Sequence, residues 1–231
     1  GLKMLLVKLL SYSQAPKEPG LNSPLDDQGE PSLLDLVAYC ARVSNPKNQN
    51  RRETSAKLIK YLIKHQHWSP LEMVSACVEV TTTRDIARQV LRHRSFSFQE
   101  YSQRYANPLE EEGFDFVIRE PRLQDPKNRQ NSTPSEDCEL NANWQWQQEQ
   151  VVVAAKRAYN WAIKNGIAKE QARSVLPEGN TTSRFCMNGT LRSYIHYIQL
   201  RSENGTQKEH MELALAVAEV ISKVFPYEEL I

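Results

Sequence analysis

No two cysteines of this chain form a CxxC pair: Cys40, Cys77, Cys138 and Cys186 are the whole complement, and they lie far apart. That spacing excludes a zinc ribbon and gives no reason to expect a disulfide framework. Glycine is scarce, eight residues in 231. None falls into GxGxxG or a Walker pattern, so a dinucleotide would have to be held without a Rossmann turn. Around Ser95, Ser97 and Ser102 there is neither a GxSxG elbow nor an SxxK pair, which argues against a hydrolase-type serine nucleophile. No apolar run approaches the roughly 18–20 residues of a transmembrane helix. The opening Gly-Leu-Lys-Met-Leu-Leu-Val has one Lys before a short apolar run and no small-residue cleavage site, a poor signal peptide. Charge of one sign is also missing: 29 Lys+Arg face 28 Asp+Glu, a net +1. A uniformly basic nucleic-acid or membrane-surface binder is thereby excluded, although a local basic patch is not. The expectation is a water-soluble protein of a reducing compartment, the cytoplasm, or a host's cytoplasm were the source viral.

What is present is enough for a sizeable core: 40% of the residues are apolar, in a length that suits one large domain or two closely packed halves. Residues 4–10 read as a buried opening strand, followed by a Pro/Gly/Asp/Ser-rich loop to Pro31. Helical spacing appears from Leu33 to Ala41 and again over Ala56–His65. Val74, Ala76, Val78 and Val80 alternate with polar residues, the pattern of a half-buried strand. Thr83 to Arg94 returns to helical spacing. A short strand is expected at Phe114–Ile118, then a polar, mobile excursion over about 120–140; residues 13–31 form the other excursion. The second half reads as a long helix over Asn143–Asn165 closed by Gly166, and a short helix through Val175. A Gly/Asn-punctuated stretch, Glu178–Thr190, follows. Then come a helix carrying Leu191, Tyr194, Ile195 and Ile198, and a last helix opened by a capping box, Thr206-Gln-Lys-Glu209. The fold class is a single α+β domain over residues 1–231, with an antiparallel or mixed sheet in the first half and a mainly helical second half.

Residues 84–105 concentrate the chemistry. They hold Arg84, Arg88, Arg92, Arg94 and Arg104 with four aromatics, against only Asp85 and Glu100. At about 100° per residue, Arg84, Arg88 and Arg92 share one helical face. Were the helix to continue, Arg92, His93 and Arg94 would splay in three directions, satisfied where several ligands or subunits meet. Guanidinium groups match phosphate oxygens bidentately, so a phosphorylated partner suits this segment. A salt-bridged arginine face is the plainer alternative, weakened by the local shortage of acids. Interleaved arginine and aromatic residues could also stack single-stranded bases. His65, His67 and His93 suggest a metal triad for a hydrolase, but they lack an i,i+4 ligand pair and an acidic cluster, so no metal is assigned.

The run Arg92-His-Arg-Ser-Phe-Ser-Phe-Gln-Glu-Tyr-Ser-Gln-Arg-Tyr105 resembles the signature of flavin-dependent thymidylate synthases: Arg-His-Arg, seven residues, then Ser102. Ser97 and Arg104 also match, while Gln99 stands where Asn is usual. His67-Trp-Ser-Pro-Leu-Glu72 is similar to the family's segment before the strand, with Met73 replacing a frequent His. Ala172-Arg-Ser-Val-Leu-Pro177, Leu191-Arg-Ser193, Gln199-Leu-Arg201, Thr206-Gln-Lys-Glu209 and Ala41-Arg-Val-Ser-Asn-Pro46 resemble further family segments, so the likeness covers most of the chain outside the two excursions.

That resemblance implies a methyltransferase converting dUMP to dTMP, with 5,10-methylenetetrahydrofolate as carbon donor, FAD as hydride carrier and NADPH as its reductant. It implies nucleotide contacts at Gln89, Arg92, Glu100, Ser102, Gln103, Arg104, Arg173 and Arg201. Flavin contacts would fall at His67, Ser69, Arg92, His93, Arg94, Glu100, Arg192 and His196, with Asn188, Thr190 and Gln207 less directly aligned. Other thymidylate synthases add a cysteine to C6 of the uracil. None of the four cysteines here lies in a matched segment, so activation would be electrostatic, through Arg201. A homotetramer with sites at subunit junctions is implied, without nucleic acid or membrane as partner.

Overall fold

A computed structural model describes residues 5–25, 28–111 and 114–226. The first strand, β1 (Leu6–Tyr12), pairs antiparallel with β2 (Ser75–Thr83), with a register shift between Leu9 and Ser11. It is a sheet edge, not the buried strand its composition suggests: Leu6, Leu10 and Tyr12 are exposed, and Val7 and Leu9 reach the core. Met4, the first residue of the expected strand, lies outside the described residues. Helix α1 (Leu33–Ala41) opens on a capping box in which Ser32 Oγ accepts the Asp35 amide and Asp35 accepts the Ser32 amide. Such a cap contributes about 1 kcal/mol. The second Asp35 oxygen accepts Ser55 Oγ at 2.8 Å, which docks α2 (Ser55–Lys64) on α1.

One of the two inner strands of the main sheet comes from the stretch read as Gly/Asn-punctuated. Residues Thr182–Thr190 form β6, between β2 and the short β3 (Ser97–Glu100), giving the antiparallel order β1-β2-β6-β3. Its inward residues Phe185, Met187 and Gly189 alternate with Arg184, Cys186 and Asn188. The period is that of a strand, but only two large apolar side chains mark it. Gly189 is there for room: a Cβ would lie 2.5 Å from Cδ1 of Phe96.

Between β2 and β3 runs α3 (Arg84–Val90). It stops four residues short of Arg94, so Arg92-His93-Arg94 lies in a turn and not around a helix circumference. Phe114–Ile118 is not a strand; Phe116 makes an isolated bridge to Thr181. The polar excursion is built: β4 (Arg122–Gln124) and β5 (Ser132–Pro134) form a hairpin. Arg122 bonds Glu120 at 2.6 Å and Glu209 at 2.7 Å, anchoring it to the body. Helix α4 (Cys138–Lys164), capped by Asp137, ends at Gly166 in the left-handed region, φ +76. There glycine is the residue without a steric penalty. Helix α5 (Lys169–Ala172) and a 3-10 turn, Arg173–Val175, lead into β6.

Helices α6 (Leu191–Arg201) and α7 (Lys208–Ser222) cover one face of the sheet. Ala76, Val78, Val80, Phe185 and Met187 meet Tyr194, Ile195, Ile198, Leu213, Val217 and Ile221 in one cluster. Each fully buried Val, Leu or Ile contributes about 1.5–3 kcal/mol. The expected capping box at α7 does not form. No side-chain cap is made there, and Glu209, its acidic half, accepts instead from Arg122 and from Gln207. Among the described residues no helix is long and apolar enough to cross a membrane.

Candidate functional site

The expected site residues fall into three groups of side chains on loops and helix ends, two of them on opposite sides of α6. The first lies where α3, α6 and α7 terminate. The turn after α3 puts His93 against the last residue of α6: Arg201 Nε donates to His93 Nε2 at 3.0 Å. That bond requires a neutral imidazole. Burial and the adjacent Arg201 charge both hold the His93 pKa below its ordinary value, in that order of weight. The His93 ring stands edge-on to Tyr197, centroids 4.9 Å apart at 86°. Gln89, in the last turn of α3, bonds Gln207 and His210, both from the start of α7, at 2.9 Å each.

Glu100 organises the second group. Its carboxylate accepts from Arg88 and from Ser183 Oγ, the latter at 2.7 Å. In the turn after β3, Ser102 Oγ accepts the Arg104 amide at 3.3 Å, and Gln103 is buried with its Nε2 unpaired. Arg173, at the head of the 3-10 turn before β6, has no side-chain partner among the described residues.

The third group lies on the other side of α6. Arg192 bonds Glu72 at 3.3 Å, and His196 packs edge-on against Trp68, centroids 4.4 Å apart. His67 and Ser69 are exposed beside them, in and before the 3-10 turn Ser69–Glu72. The His196 pKa is lowered by burial and then by Arg192. Asn188 projects from the outward face of β6, and Thr190 caps α6, its Oγ1 accepting the Ser193 amide at 3.3 Å. Arg192 and Arg201 are nine residues apart, so at about 100° and 1.5 Å per residue they face opposite sides of α6, roughly 13 Å apart along its axis.

The arginine count resolves differently from the local reading. Three of the five arginines are paired, one by a local acid and two by acids distant in sequence: Arg88 with Glu100, Arg84 with Glu178, and Arg104, weakly, with Glu170 at 3.8 Å. Arg92 and Arg94 are exposed and make no ion pair among the described residues. Two free guanidiniums therefore flank His93, with Arg173 as a third cation, and they call for an anion. His93 spends Nε2 on Arg201, and among the described residues no group of three His, Cys, Asp or Glu is arranged to hold a metal. Cys77 and Cys186 occupy the outward face of the sheet, opposite the one that α6 and α7 cover, and burial raises the Cys77 thiol above its ordinary range. Cys40 and Cys138 are exposed on α1 and α4.

Sequence reasoning missed His210, Tyr197 and Ser183, and it read Arg88 as part of a phosphate-facing arginine face where the structure pairs it with Glu100. The strongest available signal was His210, a polar residue on the stripe otherwise made by Leu213, Ala214, Val217, Ala218 and Ile221.

Fold and site together define an α+β protein that presents guanidiniums unpaired among the described residues, Arg92, Arg94 and Arg173, with chemistry suited to phosphorylated ligands. The family described as "Thymidylate synthase complementing protein" matches residues 30–227. A "Probable flavin-dependent thymidylate synthase" of Paramecium bursaria Chlorella virus 1 is 46% identical over 199 residues, 86% of this chain and 90% of that protein. A "Flavin-dependent thymidylate synthase" of a Synechocystis strain is 49% identical over 201 residues, 86% and 89%. One from Thermus thermophilus is 32% identical over 215 residues, 90% and 77%. The chain belongs to this family, that of the flavin-dependent thymidylate synthases.

Proposed function

We propose that this chain catalyses the reductive methylation of dUMP to dTMP, with methylenetetrahydrofolate as carbon donor, FAD as bound cofactor and NADPH as its reductant. The observation that carries the reading is the pair of unneutralised guanidiniums, Arg92 and Arg94, beside the Arg201–His93 bond. Cations without acids fit the phosphates of a nucleotide and of FAD. FAD would be held by His67, Ser69, Arg92, His93, Arg94, Glu100, Arg192 and His196, with Asn188, Thr190 and Gln207 at its margin. When bound and reduced, it supplies the hydride. The nucleotide would be held by Gln89, Arg92, Glu100, Ser102, Gln103, Arg104, Arg173 and Arg201.

Arg201 carries the activation step. Its Nε is spent on His93, which leaves the terminal nitrogens of the guanidinium to face the uracil edge. Charge grows on that edge as C5 becomes nucleophilic toward the methylene carbon, and a preorganised donor there lowers the barrier. His93 holds the guanidinium in place and, being neutral, does not repel it. The two sides of α6 support a homotetramer. Arg192 and His196 look away from Arg201, so facing copies of the chain would supply the two halves of one flavin and nucleotide site. Such an enzyme would work in the cytoplasm, or a host's cytoplasm were the source viral.

The test is FAD titration of apo protein, followed by addition of dUMP. The reading expects a bound flavin spectrum that dUMP perturbs, because both ligands share one site. Protein that takes up no flavin at high micromolar FAD contradicts it.

A further inference from the structure

We propose that His210 is a positioning residue for this site, orienting Gln89 through one ring nitrogen and the His93–Arg201 pair through the other. The proposal rests on the synthase reading for what Gln89 and Arg201 hold. His210 is fully buried in the first turn of α7. Its Nδ1 lies 2.9 Å from Gln89 Oε1 and its Nε2 lies 3.0 Å from the Tyr197 hydroxyl.

The hydrogen bonds around it have a single consistent polarity. The Glu209 carboxylate, itself held by Arg122, can only accept, so Gln207 presents its Nε2 to it, at 3.1 Å. The Gln207 carbonyl therefore faces Gln89 and accepts from its Nε2 at 2.9 Å. The Gln89 carbonyl is then left to face His210, which must carry its proton on Nδ1. Nε2 is consequently a lone pair, and Tyr197 must be the donor. From Tyr197 the influence continues by packing. Its ring meets His93 edge-on, and His93 accepts from Arg201.

One neutral imidazole thus fixes the direction of a substrate-facing amide and braces the guanidinium that faces the uracil. A leucine at 210 would fill the apolar stripe and transmit neither. Burial, Arg201 and His93 keep the imidazole uncharged, as the network requires.

Two substitutions separate the two arms. His210→Asn keeps a donor near the Nδ1 position and loses the acceptor for Tyr197, whereas His210→Gln keeps an acceptor near Nε2 and loses the bond to Gln89. With FAD-loaded protein, His210→Asn should hold the KM for dUMP near the wild-type value and lower kcat by ~10-fold, the scale of one buried hydrogen bond. His210→Gln should do the reverse, raising that KM by ~10-fold with kcat nearly kept. KM and kcat are read at saturating FAD in each variant, because His93 and Gln207 are among the proposed flavin contacts. Tyr197→Phe, which removes only a hydroxyl and does not depend on how the His210 variants fold, should lower kcat without moving the KM.

If the His210 variants shift KM and kcat together, or Tyr197→Phe keeps wild-type kcat, His210 is only a packing residue. If the wild-type protein forms no dTMP, the synthase reading fails, and the proposal with it.

Discussion

Ser102 shows how one side chain's surroundings limit its chemistry. Its Oγ accepts the amide of Arg104, two residues on, and among the described residues it hydrogen-bonds no histidine or lysine that could take its proton. An unassisted serine is a weak nucleophile at neutral pH, so the part we propose for it is to place a hydroxyl against the nucleotide. Ser102→Ala should weaken dUMP binding by ~1 kcal/mol, one hydrogen bond's worth, with turnover still measurable. Isothermal titration with dUMP beside a dTMP assay checks both halves, and a covalent Ser102–pyrimidine adduct would refute the assignment. At this scale one piece of the candidate site was legible: Arg92, His93 and Arg94 stand in one sequence motif and Arg201 in another, and the structure joins His93 to Arg201. His210 was not legible as a site residue, because its role depends on Gln89 and Tyr197, which two other helices bring to it.

Elements dominated by apolar periodicity could be read directly: α1, α2, β2, α6 and α7 lie within a few residues of their expected bounds. Those shaped by partners could not. β6 is an inner strand, yet polar side chains occupy its outward positions, and its glycine exists to admit Phe96. The 120–140 segment forms a hairpin because Arg122 finds Glu209 on a distant helix, which also dismantles the capping box expected there. Gly189→Ala tests this view of β6. The added methyl must displace the ring of Phe96, itself only 7% exposed. Overpacking of this kind costs ~1–3 kcal/mol. Phe96 follows the Arg92–Arg94 turn closely, so the variant should lose stability in urea and bind FAD more weakly. Wild-type values for both would show that the ring has room to move.

For the whole molecule, the fully buried His210 sets a dependence on pH. His210 is held at about 3, by burial first and by the charges of Arg201 and His93 after it, against an ordinary value of 6.5. His93 and His196 are lowered as well. Below pH 6.5 the unfolded chain binds a proton that the folded His210 refuses, so stability falls as pH drops from 6.5 toward 3 and is unaffected by this group above that window. The slope from His210 alone is at most about 1.4 kcal/mol per pH unit. Urea denaturation across that range should show a shallower slope in His210→Asn than in the wild type, the other lowered groups contributing equally to both, and equal slopes would contradict the assignment. The assembled site has a more demanding test. Single-turnover oxidation of the reduced flavin by saturating dUMP and methylenetetrahydrofolate reports the chemical step in the whole protein, free of flavin reduction by NADPH. Arg201→Ala should still bind and reduce FAD yet slow this oxidation by roughly two to three orders of magnitude, the cost of losing one preorganised donor. Arg201→Lys should recover only part, since it keeps the charge without the planar fork. Oxidation at wild-type speed in Arg201→Ala would mean that the arginine merely binds the nucleotide, and that the uracil is activated by some other group.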